Sequence, residues 1–226
     1  MTDTDVRGFP STPKTWIDGE LSRGQDGRNA VWRHVMAVYA QPLEVFCRAM
    51  FRHVDDPADL VNGFIAHRVG DAEYFASWRT SGRRLRDWLR TGIEIHVRER
   101  SKASERRKTL PIEDSLESPR TEDPSLSFDR EMVFSILTEA RRRAEADCRV
   151  AGLDDHWEVF VRHTFEKTPY AEIVATLGTT EMRAVRMNDT AKKRFADTIR
   201  DIIRRDGVPE SQIDQAIRDL IGVLKR

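Results

Sequence analysis

The chain has 226 residues, with 38 Lys and Arg balancing 38 Asp and Glu for a formal net charge of zero. That length holds either one large domain or two of about a hundred residues each. A charged fraction of 34%, only 8% aromatic residues and 12 Gly, set among abundant Arg, Ala, Leu and Glu, argue against a strand-rich chain and predict an all-α fold.

Zero net charge, taken as an average, argues against a nucleic-acid partner, but the charges are not evenly spread. Arg83, Arg84, Arg86, Arg90, Arg98 and Arg100 outweigh Asp87, Glu94 and Glu99 in one segment, and cations exceed Asp189, Asp197 and Asp201 between Arg183 and Arg205. Acid collects in Glu113, Asp114, Glu117, Glu122 and Asp123.

Residues 1–28 are polar and punctuated by Gly8, Pro10, Pro13, Gly19, Gly24 and Gly27, which predicts an arm anchored around Phe9 and Trp16. From Ala30, the positions Val31, Val35, Val38, Tyr39, Val45 and Phe46 recur at helical spacing, with Pro42 expected to open a second helical stretch. Asp56 as N-cap and Pro57 in the first turn predict a helix from about Pro57 to Arg68. A connector carrying Tyr74, Phe75 and Trp78 follows. A long basic amphipathic helix should then run from about Arg83 to Glu105, with Leu85, Trp88, Leu89, Ile93, His96 and Val97 on its apolar stripe. Residues 29–108 make one helical domain on this reading.

Residues 109–127 are acidic, interrupted by Pro111, Pro119 and Pro124, and read as a flexible linker. A second helical domain is expected over 128–206. Phe128, Met132, Ile136 and Leu137 are in phase, Gly152 ends the helix, and Trp157, Phe160 and Val161 mark another from Leu153 to about Phe165. Pro169 to Leu177, a tight turn at Gly178 and a new helix capped by Thr179 and Thr180 form a helix-turn-helix pattern, with the second helix reaching about Phe195. Residues 207–226 carry Ile213, Ile217, Leu220, Ile221 and Leu224 at the spacing of a final amphipathic helix.

Two of these blocks resemble the extracytoplasmic-function sigma factors, particularly a subgroup abundant in planctomycetes. Tyr39-Ala40-Gln41-Pro42-Leu43, Asp56-Pro57-Ala58-Asp59-Leu60-Val61-Asn62-Gly63-Phe64 and Gly82-Arg83-Arg84-Leu85-Arg86-Asp87-Trp88-Leu89 are similar to the family's polymerase- and promoter-binding first domain. Pro169-Tyr170-Ala171-Glu172-Ile173, Leu177-Gly178 and Ala184-Val185-Arg186 resemble its promoter-reading helix-turn-helix. The chain departs from the pattern at Asn62, where the family has Gln, at Ile65, where it has a second Phe, and at Met187-Asn188-Asp189-Thr190, where it has several cations.

The resemblance implies a transcription initiation factor that binds core RNA polymerase and promoter DNA, with an anti-sigma factor or other regulatory protein as a further partner. Polymerase contact would fall to Asp56, Asp59, Leu60, Asn62, Gly63, Phe64 and Arg68. The minus-ten element would meet Tyr74, Phe75, Trp78, Arg83, Arg84, Arg86, Arg90 and Arg98; aromatic side chains that stack a flipped base beside cations that track the backbone suit that task. Thr179, Thr180, Glu181, Arg183, Arg186, Lys192, Lys193 and Arg194 would face the minus-thirty-five element. In the family the acidic linker threads the RNA exit path of the polymerase, where its charge stands in for RNA.

Catalysis is not expected, because the sequence has no phosphate-binding Gly-rich loop, no GxSxG and no Cys–His arrangement. Cys47 and Cys148 lie far apart and the six His show no ligand spacing, so neither a metal nor any other cofactor is expected. The start Met1-Thr2-Asp3-Thr4-Asp5 has no basic and apolar leader, and no apolar run is long enough for membrane insertion, which places the protein in the cytoplasm on this reading. Two other readings fit the same residues: a helix-turn-helix regulator that binds duplex DNA unaided, and a degenerate sigma-like adaptor whose second domain binds protein.

Overall fold

A computed structural model describes residues 16–51, 54–68, 71–105 and 123–225, and among them the regular elements are all helical. In chain order they are α1 (Trp16–Leu21), α2 (Gln25–Met50), α3 (Pro57–Arg68), α4 (Ala72–Ser81), α5 (Leu85–Glu105), α6 (Pro124–Val150), α7 (Asp154–Phe160), α8 (Tyr170–Leu177), α9 (Glu181–Arg205) and α10 (Ile213–Val223). A π-helical turn, Val161–Phe165, extends α7, and a 3-10 turn, Glu210–Gln212, leads into α10.

Helix α2 is the axis of the fold. It runs unbroken through Pro42, although an internal proline removes a helical hydrogen bond and costs about 3 kcal/mol. The expected restart does not occur because the apolar stripe is continuous across it: Val35, Val38, Tyr39, Leu43, Phe46 and Cys47 are all buried. Burial of six such side chains outweighs one lost bond.

The supposed arm is helical where it is described. Ile17 of α1 is fully buried and α2 already begins at Gln25, whereas Phe9 lies outside the described residues. Gly27 allows the close approach of α1 and α2, since a Cβ there would overlap the Glu20 carbonyl oxygen at 1.6 Å.

The connector after α3 is also a helix, α4. Asp71 caps it by accepting from Glu73 N at 2.9 Å, and Gly82 ends it. Asp56 receives the Asp59 amide at 2.9 Å, as the N-cap reading of α3 predicts. Most of the predicted linker, with its acidic residues Glu113 to Glu122, lies outside the described residues. Its end does not: Asp123 caps α6 by accepting from Ser125 N, and Pro124 occupies the first turn. Helix α9 continues ten residues past Phe195, to Arg205.

The two sequence halves share one hydrophobic core. α6 lies along α2, and α9 and α10 pack on α6. Phe128, Met132, Val133, Ile136 and Ala140 of α6 join the same buried cluster as Val38, Phe46, Phe64, Phe75 and Leu89, and so do Ile202, Ile203, Val208, Ile213 and Leu220. Two smaller clusters complete the second half: Ala144, Cys148, Trp157, Phe160 and Ala191 join α6, α7 and α9, and Val159, Ile173, Ala184 and Met187 join α7, α8 and α9.

Gly27→Ala should lower stability by about 1–3 kcal/mol through overpacking between α1 and α2, read as a lower urea midpoint at unchanged slope. An unchanged midpoint would show that α1 does not need this contact.

Candidate nucleic-acid interface

The α3 residues expected to contact a polymerase fall into two groups. Asp56, Asp59, Asn62 and Gly63 are exposed and Arg68 is half-buried, so they present a polar edge. Leu60 and Phe64 are instead core, at 3% and 0% exposure, because they occupy the inward phase of the same helix. Two ion pairs tie this edge to α5, Arg68 to Glu99 at 3.2 Å and Asp59 to Arg100 at 3.5 Å.

The aromatic triad expected at the minus-ten element is split. Phe75 and Trp78 are buried, and the Trp78 indole N–H donates to the Arg83 carbonyl at 2.8 Å. Residues three apart on a helix share a face, so once the segment 72–81 is helical these two rings turn inward together. Tyr74 remains half-buried at an open groove of about 440 Å³ shared with Trp88, Thr91, Gly92 and Arg68. The Tyr74 hydroxyl and the Trp88 indole nitrogen are buried there without hydrogen-bond partners among the described residues.

The arginines of this region also divide. Arg83 and Arg98 are exposed, the latter 4.0 Å from Glu94. Arg84, Arg86 and Arg90 are half-buried against the second half of the chain. The Arg90 guanidinium sits 6.0 Å from the Phe46 ring centre and 5.8 Å from that of Phe128, within cation–π range, with Asp87 at 3.7 Å. Arg84 and Arg86 border a small gap closed by Met132, Ile203, Val208 and Leu220.

At the centre of that contact is Asp206, 6% exposed, at the end of α9. Its carboxylate accepts from the Tyr39 hydroxyl at 2.8 Å and from Arg86 N at 2.9 Å, and its other oxygen lies 3.8 Å from Arg86 Nε. Its backbone carbonyl accepts from Leu85 N at 3.0 Å. One residue therefore joins α2, the first turn of α5 and the end of α9. A second polar cluster lies nearby: Arg143 donates to His34 Nδ1 at 3.1 Å and to Glu139 at 2.6 Å, while Arg205 pairs with Asp201 at 2.7 Å and lies 4.1 Å over the Trp16 ring.

Neither Asp206 nor Tyr39 was picked out from sequence as a polar anchor. A single Asp before Gly at the end of a basic helix reads as a capping residue, and nothing local identifies its distant partners.

At the other end of the molecule, Gly178 adopts φ +61°, a left-handed turn that suits glycine, and the Thr180 hydroxyl accepts from Arg183 N to start α9. Thr180, Glu181, Arg183, Arg186, Lys192 and Lys193 are exposed, while Thr179 and Arg194 are half-buried. Met182 and Val185 stand among them at 69% and 39% exposure. Asn188 points inward at 8% exposure and accepts from the Thr164 hydroxyl at 3.5 Å, so of the Asn188–Asp189 pair only Asp189 enters the exposed face.

Among the described residues no group of His, Cys, Asp and Glu is arranged to hold a metal ion, and no helix is long and apolar enough to cross a membrane.

Asp206 and His34 should leave opposed signatures in stability against pH. Burial pushes the Asp206 carboxyl up to about 6 from an ordinary 3.8, against the opposing pull of Arg86. Burial, then the Arg143 and Arg205 guanidiniums, push the His34 imidazole down to about 3 from 6.5. Folded Asp206 keeps a proton that the unfolded chain has released, so its contribution falls as pH rises from about 4 to about 6. Folded His34 stays neutral where the unfolded chain is protonated, so its contribution falls as pH drops from about 6.5 toward 3. The two slopes oppose between about pH 4 and 6, each amounting to roughly 1.4 kcal/mol per pH unit. Asp206→Asn removes one of them, so urea titrations of that variant should show stability falling more steeply than wild type from pH 6 to 4. Parallel curves would mean that Asp206 titrates like an exposed carboxylate.

Compared with models of known protein families, with curated proteins and with solved structures, the chain matches none.

Proposed function

We propose that the chain is a transcription initiation factor of the extracytoplasmic-function sigma type, which binds core RNA polymerase and directs promoter recognition and opening. The observation that carries this reading is the open start of α9. A helix entered through a tight turn presents Arg183 and Arg186 beside the apolar tips of Met182 and Val185, with its capped N-terminus free. Such a surface suits a major groove: the guanidiniums reach guanine edges or phosphates, the apolar tips meet thymine methyl groups, and the helix N-terminus faces phosphate. On this reading α8, the Gly178 turn and α9 are the helix-turn-helix, and the chain is organised as a polymerase-binding half and a promoter-reading half.

Further support comes from the exposed polar edge of α3, formed by Asp56, Asp59, Asn62 and Gly63, and from the exposed Arg83 and Arg98 of the α4–α5 region. In this role polymerase docks on the α3 edge, while α5 follows the displaced strand of the minus-ten element. The work is binding and strand separation, with no covalent step assigned to the chain.

A second reading draws on one feature. The α9 start is open while Arg86 and Arg90 are covered, which favours a regulator that binds duplex DNA without polymerase.

Comigration with bacterial core RNA polymerase on size exclusion separates the two. The first reading predicts a complex that Asp59→Lys combined with Asn62→Ala weakens at unchanged helical content. Absence of a complex with active polymerase, together with duplex binding by the chain alone, would replace it with the second. In either case Arg183→Ala and Arg186→Ala should each weaken duplex binding, lowering the salt slope by about one where the guanidinium holds a phosphate. Unchanged affinity in both would remove α9 from the interface.

A further inference from the structure

The two cationic surfaces differ in their availability. The start of α9 is open to solvent, whereas the start of α5 is closed over by the corner that follows α9. At Gly207, with φ +82°, a Cβ would stand 3.0 Å from Trp78 Cζ2, so the backbone lies directly against the indole. The Asp206 carboxylate takes the Arg86 amide, the Tyr39 hydroxyl and the Arg86 guanidinium, and its backbone carbonyl takes the Leu85 amide. Val208 is 4% exposed, and with Leu220 of α10 it shuts the gap beside Arg84 and Arg86.

A helix N-terminal amide, a guanidinium and a hydroxyl converging on one carboxylate are also donors that hold a phosphate. We propose that Asp206–Val208 together with α10 is a built-in cover, in which the Asp206 carboxylate occupies the donor set a nucleic-acid phosphate would use, so that the α4–α5 surface takes single-stranded nucleic acid only once the cover lifts. This inference rests on the nucleic-acid reading of that surface and adds its regulation.

Three observations make the cover a separable contact. It holds Arg86 through a charged group and so competes with a phosphate for the same guanidinium. It hides Trp78, Val208 and Leu220, whose exposure to water opposes opening, so the closed form dominates in the free chain. It leaves Arg83 and Arg98 outside, where they can make first contact with a strand before the rest is uncovered. A strand that binds only the open form shifts the population by its differential affinity and by no more than that.

Val208→Asp tests the cover in the full-length chain. It buries an unpaired carboxylate in the cover, and it makes the protein more acidic, so tighter binding of a polyanion cannot come from added positive charge. Amide hydrogen exchange at Leu85 and Arg86 should accelerate while amides of α8 keep their rates. Affinity for a mixed-sequence single-stranded DNA oligonucleotide at low salt should rise about tenfold, within the usual range of coupling between sites. Accelerated exchange with affinity no higher than a measurable wild-type value would overturn the cover and leave the nucleic-acid reading standing. Accelerated exchange with no binding by either protein would remove the nucleic-acid reading of this surface and the cover with it. Unchanged exchange would show that these contacts do not close the surface, which also overturns the proposal. If Val208→Asp loses its helical signal, Tyr39→Phe, which deletes one donor to Asp206, should shift both readouts in the same sense by a smaller factor, and no shift in either would count against the cover.

Discussion

Asp206 is the polar point at which three elements meet. The first-turn amides of α5 have no partners within their own helix, the Tyr39 hydroxyl is buried within α2, and α9 must stop where its carbonyl meets Leu85 N. An acidic group taken out of water is costly unless it is compensated, and here two hydrogen bonds to the carboxylate and one guanidinium provide the compensation. That compensation is partial: burial leaves the group's proton affinity raised, although Arg86 and its hydrogen bonds pull the other way. Such a site gives direction more than strength. It ties the end of α9 to one position on α2 and one on α5, Tyr39 and Arg86.

The amphipathic stripes pack around this point. α6 buries Phe128, Met132 and Ile136 against α2, and the first turns of α9 lie outside the shared core, packed on α7 and α8. The end of α9 is locked and its start is exposed. The His34–Arg143–Glu139 cluster lies beside it, the His34 ring 5.9 Å from that of Tyr39, and joins the first half to α6 through a buried charge with partners. Both cross-half contacts are therefore polar at their centres and apolar around them.

What could be read from sequence followed the range of the interaction responsible. The cap at Asp56, the apolar stripe of α5 and the start of α9 at Thr180 are set within a few residues, and periodicity and capping chemistry locate them. Pro42 misled because its local cost is real and the compensating burial comes from other helices. The segment carrying Tyr74, Phe75 and Trp78 reads as a connector between Gly70 and Ser81-Gly82, yet Asp71 caps it as a helix and Phe75 and Trp78 turn inward. The partner of α6 could not be read at all: a stripe at Phe128, Met132 and Ile136 predicts an inward face and is silent on which helix it meets. The candidate site followed the same division, with the exposed α9 residues legible and the Asp206 corner invisible.

The same geometry separates two electrostatic levers that the sequence presents as one. Arg183, Arg186, Lys192 and Lys193 stand in water, where a Debye length of about 8 Å at physiological salt weakens their reach toward a polyanion. The Arg86–Asp206 contact lies in a region of low exposure, with side chains 18% and 8% accessible, and mobile ions screen it far less. On the proposed reading, added salt would loosen a polyanion held at α9 and act far less on the Arg86–Asp206 contact. A chain with zero formal charge thus carries two cationic surfaces that differ in exposure. The difference in screening follows from burial, since the residue types on the two surfaces are nearly the same.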